Sequence, residues 1–480
     1  MKKLLSLLLI LALFAVPALA EQQEDPFADW NKGAPALTAL ISYVETVTDE
    51  TSPDFIPEAD RIAVFDMDGT LCAELYPTYL EYYLLERRIF SDPSYTPDEE
   101  MLAFGCMLRD HALDKSFPDG MDVLHGEHAA RAYAGMTLTQ FADFVTNQLV
   151  RETDGFEGMT NANTFYLPMV EVVEYLQENG FKVYVVSGSD RFLCRTFIEG
   201  VLDIPYEQII GMDVDIEATN EDGADGLKYV YTSEDNIVRT DRLLIKNLKM
   251  NKVKAIVKEI GRQPVLSFGN SSGDVSMHNY TIFNNRYKSM AFMLIADDSD
   301  RDYGSAEKVA PLKEKWEQSG YVVVSMRDDF RTIYGDNVVK TGTFHWLEEF
   351  ADKEEPAVRE EQPAEETAGQ EASGQEDVQY VLYLGTNDKD TNKPVFTQAD
   401  ALEKAKDILI RHFGGYTIQE AHGGWIDNGT KYQEYTLVIY LSDTTPEKIH
   451  AAADEMLEVF HQSSVLIQEN PTRTEFYAGK

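Results

Sequence analysis

Short apolar segments alternate with helical patterns between about residues 59 and 350, and few folds accommodate that alternation. It is typical of an α/β fold on a mainly parallel sheet, because each parallel neighbour has to be reached through a crossover connection. Residues 72–165, between the first two predicted strands, are far too many for an ordinary loop, so we interpret them as a helical cap subdomain. The predicted strands are Ile62–Phe65, Lys182–Val186, Gln208–Ile216, Val265–Phe268, Met290–Ile295 and Tyr321–Ser325.

The regions outside this α/β part differ from it in composition. Residues 21–58 are mixed and contain one predicted helix, Ala36–Val47. Residues 351–377 are rich in Glu, Gln, Ala and Pro, so they cannot bury a core and are predicted to be a disordered acidic linker. Residues 378–480 follow the order βαββαβ, which predicts a small C-terminal α+β domain of ferredoxin-like type.

The first residues predict where the protein acts. Residues 1–20, MKKLLSLLLILALFAVPALA, combine a basic start, an apolar run and small residues at the end, which is the pattern of a signal peptide. The apolar run is shorter than the roughly 20 residues that a membrane-spanning helix needs. We therefore expect a secreted or extracytoplasmic protein, in the cell envelope or periplasm, with no integral membrane segment after signal removal.

The charge balance restricts the partners. The chain has 42 Lys and Arg residues against 83 Asp and Glu residues, so its formal net charge is −41 at pH 7. Such a charge repels nucleic acid and anionic membrane surfaces, and we expect neither as a partner. An anionic substrate has to be attracted by a local arrangement, such as a bound metal ion or a helix N-terminus.

Chemically active residues fall where the predicted strands end, and ligands of open α/β sheets bind beyond those ends. They supply carboxylates, a hydroxyl group, an amide and an ammonium group to one rim of the sheet. Oxygen ligands of this kind suit a hard cation, above all Mg²⁺. A carboxylate beside a metal ion and a lysine is suited to phosphoryl transfer through an aspartyl phosphate. The residues are Asp66, Asp68, Ser187, Gly188, Lys252, Asn270 and Asp274.

The order of these motifs resembles that of the haloacid dehalogenase superfamily. The insertion directly after the first motif is similar to the cap of its phosphoserine phosphatase-like branch. The resemblance covers roughly residues 60–350 and implies a Rossmann-like three-layer core and a magnesium-dependent phosphatase. It depends on DMDGTL at 66–71, SGS at 187–189, Lys252, and GNSSGD at 269–274.

The resemblance also implies a role for each residue. Asp66 is the expected nucleophile, and Asp68 is the acid that protonates the leaving oxygen and then activates water. Ser187 is expected to bind a phosphoryl oxygen, and Lys252 to neutralise charge on Asp66 and on the transferred group. The implied substrate-binding residues are Gly69, Thr70, Gly188 and Asn270, and the implied magnesium ligands are Asp66, Asp68, Asn270 and Asp274.

Two assignments stay open in the sequence. The fourth motif usually has an acidic residue where this chain has Asn270, so Asn270 and Asp274 compete for direct contact with the ion. Spacing favours Lys252 as the catalytic lysine over its neighbours. The competing lysines are Lys246, Lys249 and Lys254.

The expected function is that of a secreted, magnesium-dependent phosphomonoesterase with a small substrate of phosphoserine, phosphocholine or phosphoethanolamine type. An aromatic cage for a quaternary ammonium would favour phosphocholine, although the helical spacing of the tyrosines favours core packing. The alternative function is an extracytoplasmic binding protein whose core has lost activity, an interpretation kept open by Asn270. A protein partner is expected for the C-terminal domain. The tyrosines considered for the aromatic cage are Tyr76, Tyr79, Tyr82 and Tyr83.

Overall fold

The computed structural model describes residues 25–74, 79–353 and 377–472, with gaps at residues 390, 392, 414, 428–429 and 443. The chain forms two compact units, residues 1–360 and residues 361–480. The predictions for the signal peptide, for Tyr76 and for most of the acidic linker lie outside the described residues. Among the helices of the described part, none is both long enough and apolar enough to cross a membrane.

The first unit is built on a parallel sheet with one antiparallel edge strand. The described strands are β1 (Ile62–Phe65), β2 (Phe156–Glu157), β3 (Lys182–Asp190), β4 (Ile209–Ala218), β5 (Ile237–Ile245), β6 (Leu266–Gly269), β7 (Met290–Ile295), β8 (Val322–Ser325) and β9 (Val339–Lys340). Seven of them form one sheet in the order β5-β4-β3-β1-β6-β7-β8. Only the β4–β5 pair of that sheet is antiparallel. The short strands β2 and β9 form a separate pair.

Helices connect these strands, and several of them begin at a capping side chain. Thr137 and Gln140 form a capping box at the start of one helix, and Asp190 accepts hydrogen bonds from the first turn of another. In the described part of the chain, five helices, α2 to α6 in the following list, lie between β1 and β3. The helices are α1 (Pro35–Thr48), α2 (Leu80–Ser91), α3 (Glu99–His111), α4 (Met121–Ala132), α5 (Leu138–Leu149), α6 (Leu167–Glu178), α7 (Arg191–Ile198), α8 (Met250–Ala255), α9 (Val275–Ile282), α10 (Ala306–Gln318) and α11 (His345–Glu349).

The predicted α/β fold class is confirmed. Each of the six predicted strands corresponds to an observed strand, and the bounds of β1 and β7 agree at both ends. The sequence analysis missed β5, whose sequence IVRTDRLLI carries three charged residues. Buried parallel strands are nearly continuous apolar runs, whereas β5 is an antiparallel edge strand that needs no such run. Its segment therefore does not show the pattern on which the other strands were predicted.

The order of strands puts the candidate site beside β1. Strand β1 pairs with β3 on one side and with β6 on the other, and all four of its residues are buried. The chain direction around the sheet changes at this strand, and such a switch point leaves a crevice at the carboxyl ends of the strands. Phe65 is paired with Val185 and with Phe268, so the residues that follow these three positions meet at one edge.

The second unit has its own sheet and its own core. Its strands form an antiparallel sheet in the order β11-β12-β10-β13, with two helices in the chain order βαββαβ, which is the predicted ferredoxin-like arrangement. Leu382, Leu409 and Ile439 are fully buried in its core. The elements are β10 (Asp377–Gly385), α12 (Gln398–His412), β11 (Thr417–Asp427), β12 (Thr430–Leu441), α13 (Pro446–Val459) and β13 (Leu466–Thr472).

Candidate active site

Lys252 joins two carboxylates at the carboxyl edge of the sheet. Its ammonium group donates hydrogen bonds to Asp66 Oδ1 and to Asp274 Oδ1, the latter at 2.8 Å, and its side chain is fully buried. Burial lowers the pKa of Lys252, but the charges of Asp274 and Asp66 outweigh this effect and raise it. The lysine therefore stays charged and supplies the positive charge that two buried carboxylates need.

The pKa values of Asp66 and Asp274 are shifted in opposite directions, although both carboxylates contact the Lys252 ammonium group. Burial and the charge of Asp274 raise the pKa of Asp66, with Lys252 acting against them. Burial also opposes ionisation of Asp274, but Lys252 and the backbone N–H of Asn270 lower the pKa of Asp274. Asp274 Oδ2 accepts from the backbone N–H groups of Asn270 and Ser271, each at 3.1 Å. The ionised form of Asp66 thus depends more strongly on positive charge around it.

Asp68 has one hydrogen-bonded oxygen and one without a partner. Its Oδ2 accepts from Ser189 Oγ at 2.7 Å and, more weakly, from Ser187 Oγ at 3.5 Å. Its Oδ1 is shielded from solvent and has no hydrogen-bond partner. Burial, together with the nearby charge of Glu81, raises the pKa of Asp68 to about 7. A carboxyl group with this pKa can both give and take a proton near neutral pH.

The end of β3 contributes two serines, of which the sequence analysis named one. Ser187 is fully buried, and its Oγ accepts from the backbone N–H of Ser189 at 3.0 Å. Ser189, which has the shorter contact with Asp68, was missed because the motif is read at its first serine. At Gly188 a Cβ atom would lie 2.6 Å from the end of the Leu248 side chain, which would have to shift to make room for it.

Glu74 is the main residue of the site that sequence reasoning missed. Its carboxylate accepts from Asn270 Nδ2 and, at 2.7 Å, from the Tyr79 hydroxyl group. Gly69 lies beside Asn270 and Glu74 with a φ of +76°, and a Cβ atom there would collide with both of these side chains. Thr70 is buried and donates to Asp66 Oδ2 at 3.4 Å. No pattern in the sequence marks Glu74, because its role depends on the direction of one side chain at the start of the insertion.

The insertion also brings a buried ion pair to the site. Lys246 donates to Glu81 Oε1 at 2.9 Å, and both residues are buried. The other Glu81 oxygen, Oε2, has no hydrogen-bond partner. Lys254 is exposed and contacts only Asn251 among the polar groups described. The structure thus brings Lys252 to Asp66, as spacing favoured, and pairs its competitor Lys246 with the insertion.

These groups surround a small cavity of about 70 Å³. Carboxylates from the sheet and from the insertion face it together, and two tyrosines of the insertion line it. The ring centres of Tyr82 and His125 lie 4.2 Å apart, whereas Tyr83 packs near Trp346. Tyr79 and Tyr82 thus line the cavity, and Tyr83 belongs to the core. The lining includes Asp66, Asp68, Glu74, Tyr79, Glu81, Tyr82, Asp122, Gly188, Ser189, Lys246, Asn270 and Asp274.

The donor atoms of the pocket fit a hard cation in kind. They are oxygens, and Asp68 Oδ1 is an orphaned buried oxygen that a cation would satisfy. Within the described ranges no three His, Cys, Asp or Glu side chains are already grouped as a metal site. The fit therefore depends on Asp66 and on the neutral amide of Asn270, and Asp68 adds a ligand oxygen only in its ionised form.

The comparison with protein families agrees with this geometry. Residues 63–278 match the family of haloacid dehalogenase-like hydrolases, and the match spans β1, Lys252 and the fourth motif. This segment is a haloacid dehalogenase-like hydrolase domain. The hydrolase domain thus includes every site residue that the sequence analysis named. No curated protein matches the full sequence.

Solved structures give only distant likenesses. A conserved protein of unknown function from Anaerococcus prevotii DSM 20548 is 14% identical, covers 64% of this chain and 98% of its own, and has a TM-score of 0.39. A phosphoserine phosphohydrolase-like protein from Francisella tularensis subsp. tularensis SCHU S4 is 16% identical over 55% of this chain and 94% of its own, with a TM-score of 0.28. The divalent ion tolerance protein CutA1 from Ehrlichia chaffeensis is 10% identical over 22% of this chain and 88% of its own, with a TM-score of 0.17.

Proposed function

We propose that the hydrolase domain is a magnesium-dependent phosphomonoesterase that forms an aspartyl phosphate on Asp66. The observation that carries this proposal is the pairing of two aspartates in different environments at one pocket. Asp66 is held beside the Lys252 ammonium group, whereas the pKa of Asp68 is raised to about 7 by burial and Glu81. Carboxyl groups whose surroundings separate their protonation behaviour are suited to act as nucleophile and acid in one reaction.

In the proposed reaction an Asp66 carboxylate oxygen attacks phosphorus while the ester P–O bond breaks. Asp68, protonated at the start, gives its proton to the leaving alcohol oxygen. The Asp68 carboxylate then takes a proton from water, whose oxygen attacks phosphorus and breaks the bond to Asp66, so that inorganic phosphate leaves. Lys252 balances the charge that gathers on Asp66 and the phosphoryl group, and Ser187 donates to a phosphoryl oxygen.

Magnesium is proposed as the further positive charge that Asp66 needs. When bound, it would neutralise charge on the nucleophile and on the phosphoryl oxygens. Asp66 and Asn270 are the residues whose side chains are proposed to hold it, whereas the Asp68 side chain stays off the ion so that it can carry the proton that it gives. Both carboxylate oxygens of Asp274 already accept hydrogen bonds, from Lys252 and from backbone N–H groups. Asp274 is therefore proposed to act through Lys252, and Asn270 to be the direct ligand of the two.

The insertion side of the pocket supports a small substrate with a cationic group. Glu74, Glu81 and Asp122 line this side, and Glu81 Oε2 has no hydrogen-bond partner. The rings of Tyr79 and Tyr82 lie beside these carboxylates. An ammonium or trimethylammonium group fits such a lining through charge attraction and cation–π contact. We propose a phosphorylated amino alcohol or amino acid of phosphocholine, phosphoethanolamine or phosphoserine type.

The place of action and the partner are proposals from the sequence alone. The pattern of residues 1–20 supports action outside the cytoplasmic membrane. The second unit has its own core, and among its described residues we assign no catalytic grouping, so we propose that it binds another protein.

Turnover of a phosphomonoester panel tests the proposed function. The panel contains p-nitrophenyl phosphate, phosphocholine, phosphoethanolamine and phosphoserine, each assayed with Mg²⁺ and with EDTA. Asp66→Asn is expected to lower kcat roughly 10³-fold or more because the nucleophile is lost. The matched control is Asp60→Asn, which changes an aspartate outside the pocket that pairs with Arg262.

Two results would count against the proposal. Activity retained by Asp66→Asn would exclude an aspartyl phosphate at that residue. A folded wild-type protein that hydrolyses no member of the panel would favour the alternative, an extracytoplasmic binding protein on the same fold.

A further inference from the structure

A second and larger cavity adjoins the catalytic pocket. Its volume is about 570 Å³, within the range of about 300–1,000 Å³ that is typical of small-molecule sites. The two cavities share Glu74, Asn270 and Ser271 in their linings. The remaining walls include residues 113–115, which follow α3, together with the end of β7 and one face of α10.

The sign of the charge differs between the two cavities. Lys115, Lys308 and Lys315 line the larger one, against two acidic residues, Glu74 and Asp114. The charged residues that line the catalytic pocket are instead mostly carboxylates, with Lys246 as the one lysine in its lining. In a chain whose formal net charge is −41, three lysines at one cavity are a local concentration of positive charge. Such a lining attracts an anion and disfavours the cationic group proposed for the neighbouring pocket.

Lys115 is the lysine closest to the boundary between the cavities. Its ammonium group donates to the backbone carbonyl of Glu74 at 3.1 Å and lies 5.1 Å from the centre of the Tyr79 ring. Burial lowers the pKa of Lys115, with Glu74 acting against it. Lys308 and Lys315 are exposed on α10, and Lys315 lies over the Trp316 ring at 4.7 Å. The positive groups are therefore distributed along the cavity wall from the boundary outward.

The rest of the cavity wall is largely apolar. Leu113 and Leu312 are 54% and 39% exposed, which leaves two large aliphatic side chains in contact with water. Apolar surface of this kind is stabilised when a ligand covers it. The other apolar lining residues are Leu294, Ile295, Val309, Trp316 and Phe344.

We propose that this cavity binds a small organic anion with an apolar body, such as a medium-chain carboxylate, as a ligand separate from the phosphoryl substrate. The carboxylate pairs with the lysine ammonium groups, and the aliphatic chain lies against Leu113 and Leu312. Opposite charge in the two linings keeps this ligand out of the catalytic pocket. The proposal needs no catalytic step and does not depend on the proposed function.

Isothermal titration calorimetry of the full-length protein with octanoate tests this proposal. The wild type is expected to bind one octanoate saturably. Lys308→Glu and Lys315→Glu are each expected to weaken binding about tenfold, because each replaces an attractive charge with a repulsive one. The matched control is Lys313→Glu, on the same helix and exposed but outside the cavity lining, which is expected to stay within twofold of the wild type.

Competition experiments separate this proposal from its alternatives. Octylamine, with the same chain and the opposite charge, is expected not to compete, and saturating inorganic phosphate is expected to leave octanoate binding unchanged. The proposal is overturned by the absence of saturable binding, by an equal loss in the control variant, by competition from octylamine, or by displacement with phosphate. None of these readouts measures turnover, so they stand whether or not the domain proves to be a phosphatase.

Discussion

Asp68 lies in surroundings that make its carboxyl group change charge near neutral pH. Burial is the main cause, and the negative charge of Glu81 adds to it, which raises the pKa to about 7. Its folded-state pKa therefore lies above the ordinary value of 3.8. The protonated form is favoured by folding, so stability from this group is present at low pH and is lost as the pH rises towards 7.

Glu81→Gln should shift the pH profile of hydrolysis. Removing the charge of Glu81 stabilises the Asp68 carboxylate, so the pKa of Asp68 falls and the alkaline limb of kcat moves down by roughly one pH unit. The measurement is kcat for p-nitrophenyl phosphate across the pH range from 5 to 9. Glu100→Gln, at an exposed glutamate of the same insertion, is the control and should leave the profile unchanged. An unshifted profile in Glu81→Gln would show that Glu81 does not control the group that limits turnover.

Lys252→Met should destabilise the protein as well as inactivate it. The substitution leaves Asp66 and Asp274 buried without their shared cation, at a cost of about 3–5 kcal/mol in unfolding free energy. Denaturant unfolding at pH 7 measures this loss, which should shrink at acid pH as the carboxylates become protonated. Lys254→Met, at an exposed position of α8, should change the unfolding free energy by less than about 0.5 kcal/mol. Equal effects of the two substitutions would contradict the structural role assigned to Lys252.

Individual residues differ in how far the sequence could identify them. Asp66 and Lys252 could be named because they occupy fixed places relative to predicted strands and helices. Glu74 and Glu81 could not, because they belong to an insertion whose orientation over the sheet is set by tertiary packing. Their contacts with Asn270 and Lys246 join segments that are far apart in the chain. Sequence patterns carry no information on such side-chain directions.

Strand β5 connects the helical insertion to the edge of the sheet through hydrogen bonds of Arg239. The backbone N–H of Arg239 donates to Met136 at 2.9 Å, and its carbonyl accepts from Gly135 at 2.8 Å. The Arg239 side chain is buried, donates to Asp190 Oδ2 at 2.7 Å, and lies 4.1 Å from the centre of the Phe141 ring. One strand thus holds the turn between α4 and α5 and a ring of α5.

Arg239→Ala should loosen this attachment. It removes a fully buried guanidinium group from Asp190 and from the Phe141 ring, and we expect a loss of about 3–5 kcal/mol in unfolding free energy. Hydrogen exchange should show reduced protection in α4 and α5 in particular. Arg242→Ala is the control on the same strand, since its side chain is 66% exposed and pairs with Asp215 alone among the described residues. Unchanged exchange in α4 and α5 would refute the role given to β5.

The bounds of strands and helices could be predicted from the sequence for some elements and not for others. Strands β1 and β7 could be bounded because both are short apolar runs buried within the sheet. In the second unit, α12 has the predicted bounds, but β11 extends to Asp427, well beyond the predicted Tyr416–Gln419. The added part, beginning EAHGGW, lacks apolar alternation, and it is extended because its backbone pairs with β12. Pairing with a partner strand overrides local preference there.

The two compact units should unfold as separate bodies. The second unit buries its own apolar core and completes its own sheet, so a fragment of residues 370–480 should fold alone. Circular dichroism of this fragment should show a cooperative thermal transition. Ile439→Ala should lower the unfolding free energy of that transition by about 2–5 kcal/mol and leave the transition of the first unit in the full chain unchanged. A random-coil spectrum from the fragment would contradict this division.

Direct detection of the covalent intermediate is the sharpest test of the proposed chemistry. An acid-quenched reaction with p-nitrophenyl phosphate and Mg²⁺ would be digested, and the peptide containing Asp66 analysed by mass spectrometry. Asp68→Asn is used beside the wild type, because loss of the group that activates water should let the phosphorylated form accumulate. We predict one added phosphoryl group on Asp66, labile to hydroxylamine and missing from Asp66→Asn. Turnover without a phosphorylated Asp66 in either protein would contradict the aspartyl-phosphate account.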